Sequence, residues 1–178
     1  MKKSILFTLL FVSFIITSYA QKGNNQVGIA GEIGFPAGHF DNDFNTGFGG
    51  SLKGLWGIGK NDQLTFTTGY TYYKAKGQLT TFFPKAYSSI IPFLAGYRFN
   101  KSGFYAEPQI GFGLYRLKIG DYYGGKNSET DGAFTYGIGV GFVSHGIDAG
   151  VRYQEAKKGS DDITIIGVHI GYNISFRK

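Results

Sequence analysis

The sequence predicts an all-β fold, an eight-stranded antiparallel up-and-down transmembrane β-barrel. Three observations predict it. Period-two alternation recurs in eight segments, each bounded by turn residues. In every segment one face is bulky and apolar, while the other is glycine, serine, threonine and a few charges. The links between segments alternate short and long, as in barrels with tight turns on one side of a membrane and loops on the other.

The chain opens on a different pattern. Met1-Lys2-Lys3 is basic, Ile5 to Ile16 is almost wholly apolar, and Ser18-Tyr19-Ala20 puts small residues at the positions a signal peptidase reads. This predicts a secretory signal over 1–20, cut before Gln21, and a barrel domain over 21–178. The apolar run falls short of the ~20 residues a helical span needs. Ala20 is not followed by the cysteine of a lipoprotein.

The eight segments follow in order. The first, 26–35, sets Val27, Ile29, Ile33 and Phe35 against Gly28, Ala30, Glu32 and Gly34. The second, 47–58, sets Phe48, Leu52, Trp56 and Ile58 against Gly49, Ser51 and Lys53. The third, 63–74, sets Leu64, Phe66, Tyr70 and Tyr72 against Thr65, Thr67, Gly69 and Thr71. In the fourth, 87–99, Ile91, Phe93, Ala95, Tyr97 and Phe99 oppose Ser88, Gly96 and Arg98. In the fifth, 103–117, Phe104, Ala106, Ile110, Phe112 and Leu114 oppose Glu107, Gln109, Gly111 and Gly113. The sixth, 133–143, places Phe134, Tyr136, Ile138, Val140 and Phe142 opposite Thr135, Gly137, Gly139 and Gly141. The seventh, 147–154, places Ile147, Ala149, Val151 and Tyr153 opposite Asp148, Gly150, Arg152 and Gln154. The eighth, 163–176, places Ile166, Val168, Ile170, Tyr172, Ile174 and Phe176 opposite Gly167, His169, Gly171, Asn173 and Ser175.

A soluble sandwich would turn its large residues inward and show a charged exterior. Here the small face has too few charges for that. The assignment works inside out: the large face meets lipid and the small face lines a narrow, filled interior. Lipid offers no hydrogen bonds, so every strand edge must pair and the sheet must close. After Gln21 no run of ~18 apolar residues occurs, so no helical span competes with the strands.

Gly59 to Asp62, Asn100 to Ser102 and Ser144 to Gly146 are expected as tight turns. Pro36 to Thr46, Ala75 to Ala86, Lys118 to Gly132 and Glu155 to Asp162 are expected as long loops. With short turns periplasmic, both termini face the periplasm.

Charges on the small face balance. Glu32, Glu107 and Asp148 oppose Lys53, Arg98 and Arg152, with Gln109, Gln154, His169 and Asn173 as neutral neighbours. Buried ions must be paired, so a central network of Glu32, Lys53, Glu107 and Arg152 is expected. Arg98 and Asp148, close to the short turns, are the members expected to be wet. A filled lumen argues against a wide pore, which takes about 16 strands. Trp56, Tyr97, Phe99, Phe104 and Phe176 cluster near the short-turn ends, and Phe35, Phe48, Tyr72, Phe134 and Tyr153 near the long-loop ends. Both groups suit membrane–water boundaries.

Composition narrows the rest. Aromatic residues make up 17% and charged residues 17% of 178, which excludes long-range disorder. With no cysteine, a disulfide scaffold and a cysteine metal site are excluded. Losing Lys2 and Lys3 with the leader lowers the formal charge from +6 to +4, too little to point to nucleic acid.

The whole mature chain resembles the small eight-stranded outer-membrane β-barrels. These include OmpA-like and OmpX-like barrels and, more closely, the outer-membrane beta-barrel domain proteins common in Bacteroidota. The resemblance is carried by Tyr19-Ala20-Gln21, Ile91-Pro92-Phe93-Leu94-Ala95-Gly96-Tyr97-Arg98-Phe99, Gly103-Phe104-Tyr105-Ala106-Glu107-Pro108-Gln109 and the last strand ending in Phe176. It implies location in the outer membrane, contact with outer-membrane lipid and lipopolysaccharide, a monomer, and assembly by machinery that reads the C-terminal aromatic. Arg177 and Lys178 follow Phe176, which departs from that pattern.

No catalytic constellation emerges. Gly137-Ile138-Gly139-Val140-Gly141 lacks the spacing and following helix of a nucleotide loop. His39, His145 and His169 fall in a loop, a turn and a strand, without metal-ligand spacing. Lipid A deacylases among such barrels place His and Ser two residues apart; here Gly171 takes the second place. Asp41, Asp43, Asp121, Glu129, Asp131, Asp161 and Asp162 are expected as solvated loop carboxylates. The loop aromatics Phe82, Phe83, Tyr122 and Tyr123 are candidates for touching a partner or the outer leaflet. No cofactor is expected. A structural or interaction role through exposed loops is the expected function. A narrow, porin-like channel is the main rival, and a lipid-modifying enzyme the weaker one.

Overall fold

The computed structural model describes residues 24–58, 61–77, 80, 83, 86–120, 126–158 and 161–176. The signal segment, the Gly59-Lys60 tip, Phe82, Asp121, Tyr122, Tyr123, Arg177 and Lys178 lie outside them.

Eight strands run in chain order: β1 (Gln26–Ala37), β2 (Gly47–Gly57), β3 (Gln63–Lys74), β4 (Tyr87–Lys101), β5 (Phe104–Gly120), β6 (Lys126–Ser144), β7 (Ile147–Lys158) and β8 (Asp161–Ser175). Each pairs antiparallel with its sequence neighbour, and β8 closes on β1. The barrel is therefore up-and-down, with no free edge.

The register fixes its dimensions. One row of paired residues runs Gln26, Leu55, Thr65, Gly96, Gln109, Gly137, Gln154, Ile165 and returns to β1 at Pro36. Eight strands with that ten-residue offset tilt about 40° and enclose a backbone radius of about 8 Å. Such a cylinder has room for side chains and little else.

Alternation sorts the faces as the sequence suggests. Ile29, Phe48, Leu52, Phe66, Phe112, Ile138, Val140, Ile170 and Tyr172 all point outward and are exposed, while Thr67, Glu107, Thr135 and Gln154 are buried inside. On β5 the outward apolar run reaches from Phe104 to Leu114. At about 3.3 Å per residue and the tilt above, that run is about 25 Å tall, the height of a bilayer-facing band.

Two turns are tighter than the sequence suggests. Lys101 pairs with Phe104 and Ser144 with Ile147, leaving Ser102-Gly103 and His145-Gly146 as two-residue loops. Both positions of each loop have positive φ, at 52° and 87° and at 50° and 86°. That is the type I′ hairpin geometry that glycine at the second place favours.

At the other end two expected long loops are corrected. The 118–132 stretch is mostly strand, because β5 continues to Gly120 and β6 starts at Lys126. The 155–162 stretch is a hairpin, with Lys158 opposite Asp161. In both places the backbone ladder continues past the apolar band, where the outward face turns polar, so the outward hydrophobic alternation stops before the strand does. The Pro36–Thr46 link holds a short helix, α1 (His39–Asp43), and Phe44 bridges to Ala75.

Candidate functional site

The lumen of the barrel is packed with side chains at two levels. The first level, in the short-turn half, centres on Glu107 of β5. Lys53 Nζ donates to both its oxygens at 3.1 and 3.0 Å, Arg98 Nε at 2.7 Å, Thr65 Oγ1 at 2.8 Å and Gln109 Nε2 at 2.6 Å. Arg98 then reaches Asp148 through Nη1 at 2.9 Å and stacks over the Tyr105 ring, 3.7 Å from its centroid. Asp148 also accepts from Tyr105 Oη at 2.8 Å and Asn173 Nδ2 at 3.1 Å. His169 Nε2 lies 3.0 Å from Tyr105 Oη and 3.4 Å from Asp148. Five strands meet in this one hydrogen-bonded cluster, β2, β3, β4, β5 and β7, with β8 joining through Asn173 and His169.

Here the expected arrangement needs correcting. Arg98 and Asp148 are 1% and 4% exposed, so they are not wet rim residues. They are the centre of the network, because their parity carries them inward and the narrow cylinder brings them within reach of Glu107. Glu32 and Arg152 do not join that hub. They form a separate pair, Arg152 Nη2 donating to both Glu32 oxygens at 3.2 and 3.1 Å. Small cavities lie on either side of this pair, each about 20 Å³, about the room for one water.

The second level is apolar and fills the long-loop end. Phe40, Phe44, Tyr73, Ala75, Ala86, Ile90, Tyr115, Ala133, Ala156 and Ile165 form one buried cluster, with Phe83, Leu117 and Ile163 packed against it. Phe40 and Phe44 come from α1 and its end, folded into the mouth of the barrel, and Phe40 meets Tyr73 edge-on at 5.4 Å. Phe83 is thus corrected from an outward loop aromatic to part of this plug. Lys76 clips the α1 segment from outside through Asp41 at 2.9 Å.

Sequence reasoning missed these inward aromatics. Parity held the signal: Tyr73 continues the inward row of Thr65, Thr67 and Thr71, Tyr105 shares the face of Glu107, and Tyr115 that of Gly113. Their bulk also explains the inward glycines. A Cβ on Gly34 or Gly47 would collide with the Tyr73 ring, and one on Gly141 or Gly150 with the Tyr105 hydroxyl.

The interface aromatics all lie on the outward face. Trp56, Phe99, Phe104, Tyr153 and Phe176 are exposed, and Tyr72 and Tyr97 half-buried. Near the short turns Tyr97 packs on Phe99 at 4.4 Å and Phe104 on Phe142 at 4.9 Å. Near the long loops Tyr72 packs on Tyr87 at 5.0 Å. The Tyr136 and Tyr153 hydroxyls both donate to Glu155, at 2.5 and 2.7 Å. Among the described residues no three histidine or acidic side chains gather in a metal-binding group.

Comparison with known proteins gives the family. Residues 6–173 match the family model described as outer membrane protein beta-barrel domain. No curated protein matched the chain. Among solved structures it is similar to Ail, the attachment invasion locus protein of Yersinia pestis, at TM-score 0.66 and 14% identity, covering 86% of this chain and all of that one. The N-terminal β-barrel domain of Pseudomonas aeruginosa OprF gives 0.63 and 13%, with 86% and 100% covered. Neisserial surface protein A gives 0.52 and 17%, with 86% and 97% covered. At these identities the likeness is one of fold. Together with the match over nearly its whole length, this establishes that the chain belongs to the outer membrane protein beta-barrel domain family and is an outer-membrane barrel.

Proposed function

We propose that this outer-membrane barrel is closed to solutes and works as a structural or interaction protein through its long-loop end, with both termini in the periplasm. The observation that carries the reading is the double obstruction of the lumen. A solute would have to break the Glu107–Arg98–Asp148 cluster and then displace the Phe40–Phe44 plug. Each step disrupts buried, partnered groups. A monomer accords with a closed sheet that offers no edge to a second copy. Phe176 at the end of the last strand is the feature offered to the assembly machinery, and the exposed apolar band is the surface offered to lipid.

The test is conductance of the purified protein in a planar bilayer. Silence under applied voltage is expected. Steady single-channel steps would instead favour the narrow channel. A lipid-modifying activity would register as altered lipid A or phospholipid masses after expression, and none is expected. Orientation has its own test. The chain has no cysteine, so Thr80→Cys at the long-loop end gives a unique thiol, expected to react with an impermeant reagent on intact cells.

A further inference from the structure

The barrel holds no sulfur side chain. The chain has no cysteine, and its one methionine is Met1. Cysteine and methionine are the usual targets of oxidants, so in this fold oxidation falls on the tyrosines and on Trp56. The fold sorts those tyrosines. Tyr73, Tyr105 and Tyr115 are buried in the lumen. Tyr136 and Tyr153 meet through their hydroxyls, on the Glu155 carboxylate. Tyr72 and Tyr87 meet ring to ring.

Strand register puts them there. Tyr72 of β3 stands opposite Ser89 of β4, and Lys74 opposite Tyr87. Tyr72 and Tyr87 are therefore diagonal neighbours on the outward face, a spacing that aromatic side chains can bridge. Ser89 shares that face and is small, which leaves room for the two rings to close. Their centroids lie 5.0 Å apart with the planes tilted by 43°. Among the described residues this is the one ring contact that joins two tyrosines. On the other side of Tyr87 the Lys118 ammonium lies 5.5 Å from the ring centroid. Both tyrosines are half-buried, so each keeps an open flank. They also bracket the 75–86 link, whose Phe83 and Ala86 belong to the mouth plug.

We propose that Tyr72 and Tyr87 form an oxidative staple. A one-electron oxidant of the haem-peroxidase class, working with hydrogen peroxide, couples them into dityrosine and ties β3 to β4 at the base of that link. Each phenol gives up one electron and one proton. The two phenoxyl radicals join through ring carbons beside their hydroxyls, and the hydrogens at those carbons restore the hydroxyls. One hydrogen peroxide takes the two electrons and two protons and becomes two waters. The side of the membrane on which this happens rests on the orientation proposed above; the coupling itself does not.

The full chain, purified from outer membranes and kept folded in detergent micelles, is treated with a haem peroxidase and hydrogen peroxide and digested with trypsin. Tyr72 leaves in the peptide 61–74 and Tyr87 in 86–98. The expected product is those two peptides joined, lighter than their sum by two hydrogens and fluorescent as dityrosine. Holding the rings together should raise its yield roughly tenfold over that of the urea-unfolded chain. Tyr72→Phe and Tyr87→Phe each abolish it, while Tyr70→Phe and Tyr97→Phe, on the same two peptides, leave it. A boiled/unboiled mobility shift checks that each variant is folded. No joined peptide from the folded chain, an equal yield from the unfolded chain, or survival of the product in Tyr72→Phe or Tyr87→Phe would each overturn the proposal.

Discussion

Removing the Glu107 carboxylate tests the lumen network most sharply. Glu107 is 1% exposed and accepts from Lys53, Arg98, Thr65 and Gln109. Glu107→Ala strands two cations unequally. Arg98 keeps Asp148, whereas Lys53 loses its only ion-pair partner among the described residues. Orphaning one member of a buried pair costs about 3–5 kcal/mol. Arg98's remaining bond places the expected loss toward the low end, about 3 kcal/mol. The second half of the prediction separates electrostatics from a cavity. Adding Lys53→Met to Glu107→Ala removes the stranded ammonium, so the double variant should be more stable than Glu107→Ala alone. A simple packing defect would make it less stable, since a second contact is lost. Reversible urea unfolding in lipid vesicles, followed by the mobility shift of folded barrel, reads all three proteins. Asp41→Asn, which breaks the exposed Lys76 bridge, is the control and should cost under about 0.5 kcal/mol. A Glu107→Ala loss below about 1 kcal/mol, or no recovery in the double variant, would refute the reasoning.

Other consequences follow from packing and from the lipid face. Gly34→Ala puts a methyl group into the Tyr73 hydroxyl and should cost about 1–3 kcal/mol, a cost that shrinks in a Tyr73→Phe background. Phe40→Ala with Phe44→Ala should loosen the mouth plug, read as faster protease nicking within 38–46 while the barrel keeps its mobility shift. Ile110→Arg, mid-band on β5, should destabilise the barrel in vesicles by about 2–4 kcal/mol, and Phe104→Arg, at the boundary, by about 1 kcal/mol or less.

Strand number, facing and closure were legible because each has a one-dimensional trace. Ile138 and Val140 against Gly137 and Gly139 state which side is which, and the lack of any partner for a strand edge in lipid forces closure. The extent of β5, β6 and β7 was not legible. Above the band the outward face around Lys118 is polar and the inward face mixes Leu117 with Glu129, so the alternation loses its contrast. The hub was legible as a set of residues but not as a graph. Strand parity places Arg98 and Asp148 inward, while their distances to Glu107 depend on the ten-residue offset, which no local pattern encodes. The mouth plug was invisible for a related reason. Phe40 and Phe44 sit in a link between strands, and only the folded-back α1 segment reveals that they pack inward.

Facing is the claim on which everything else depends, and quenching by lipid measures it. In a Trp56→Phe background, which removes the native tryptophan, a single Trp is introduced at Ile138, 52% exposed at mid-band, or at Thr135, fully buried in the lumen. In vesicles whose acyl chains carry bromine near their middle, Ile138→Trp should be strongly quenched and Thr135→Trp should be spared. Strong quenching at 135 with none at 138 would contradict the account.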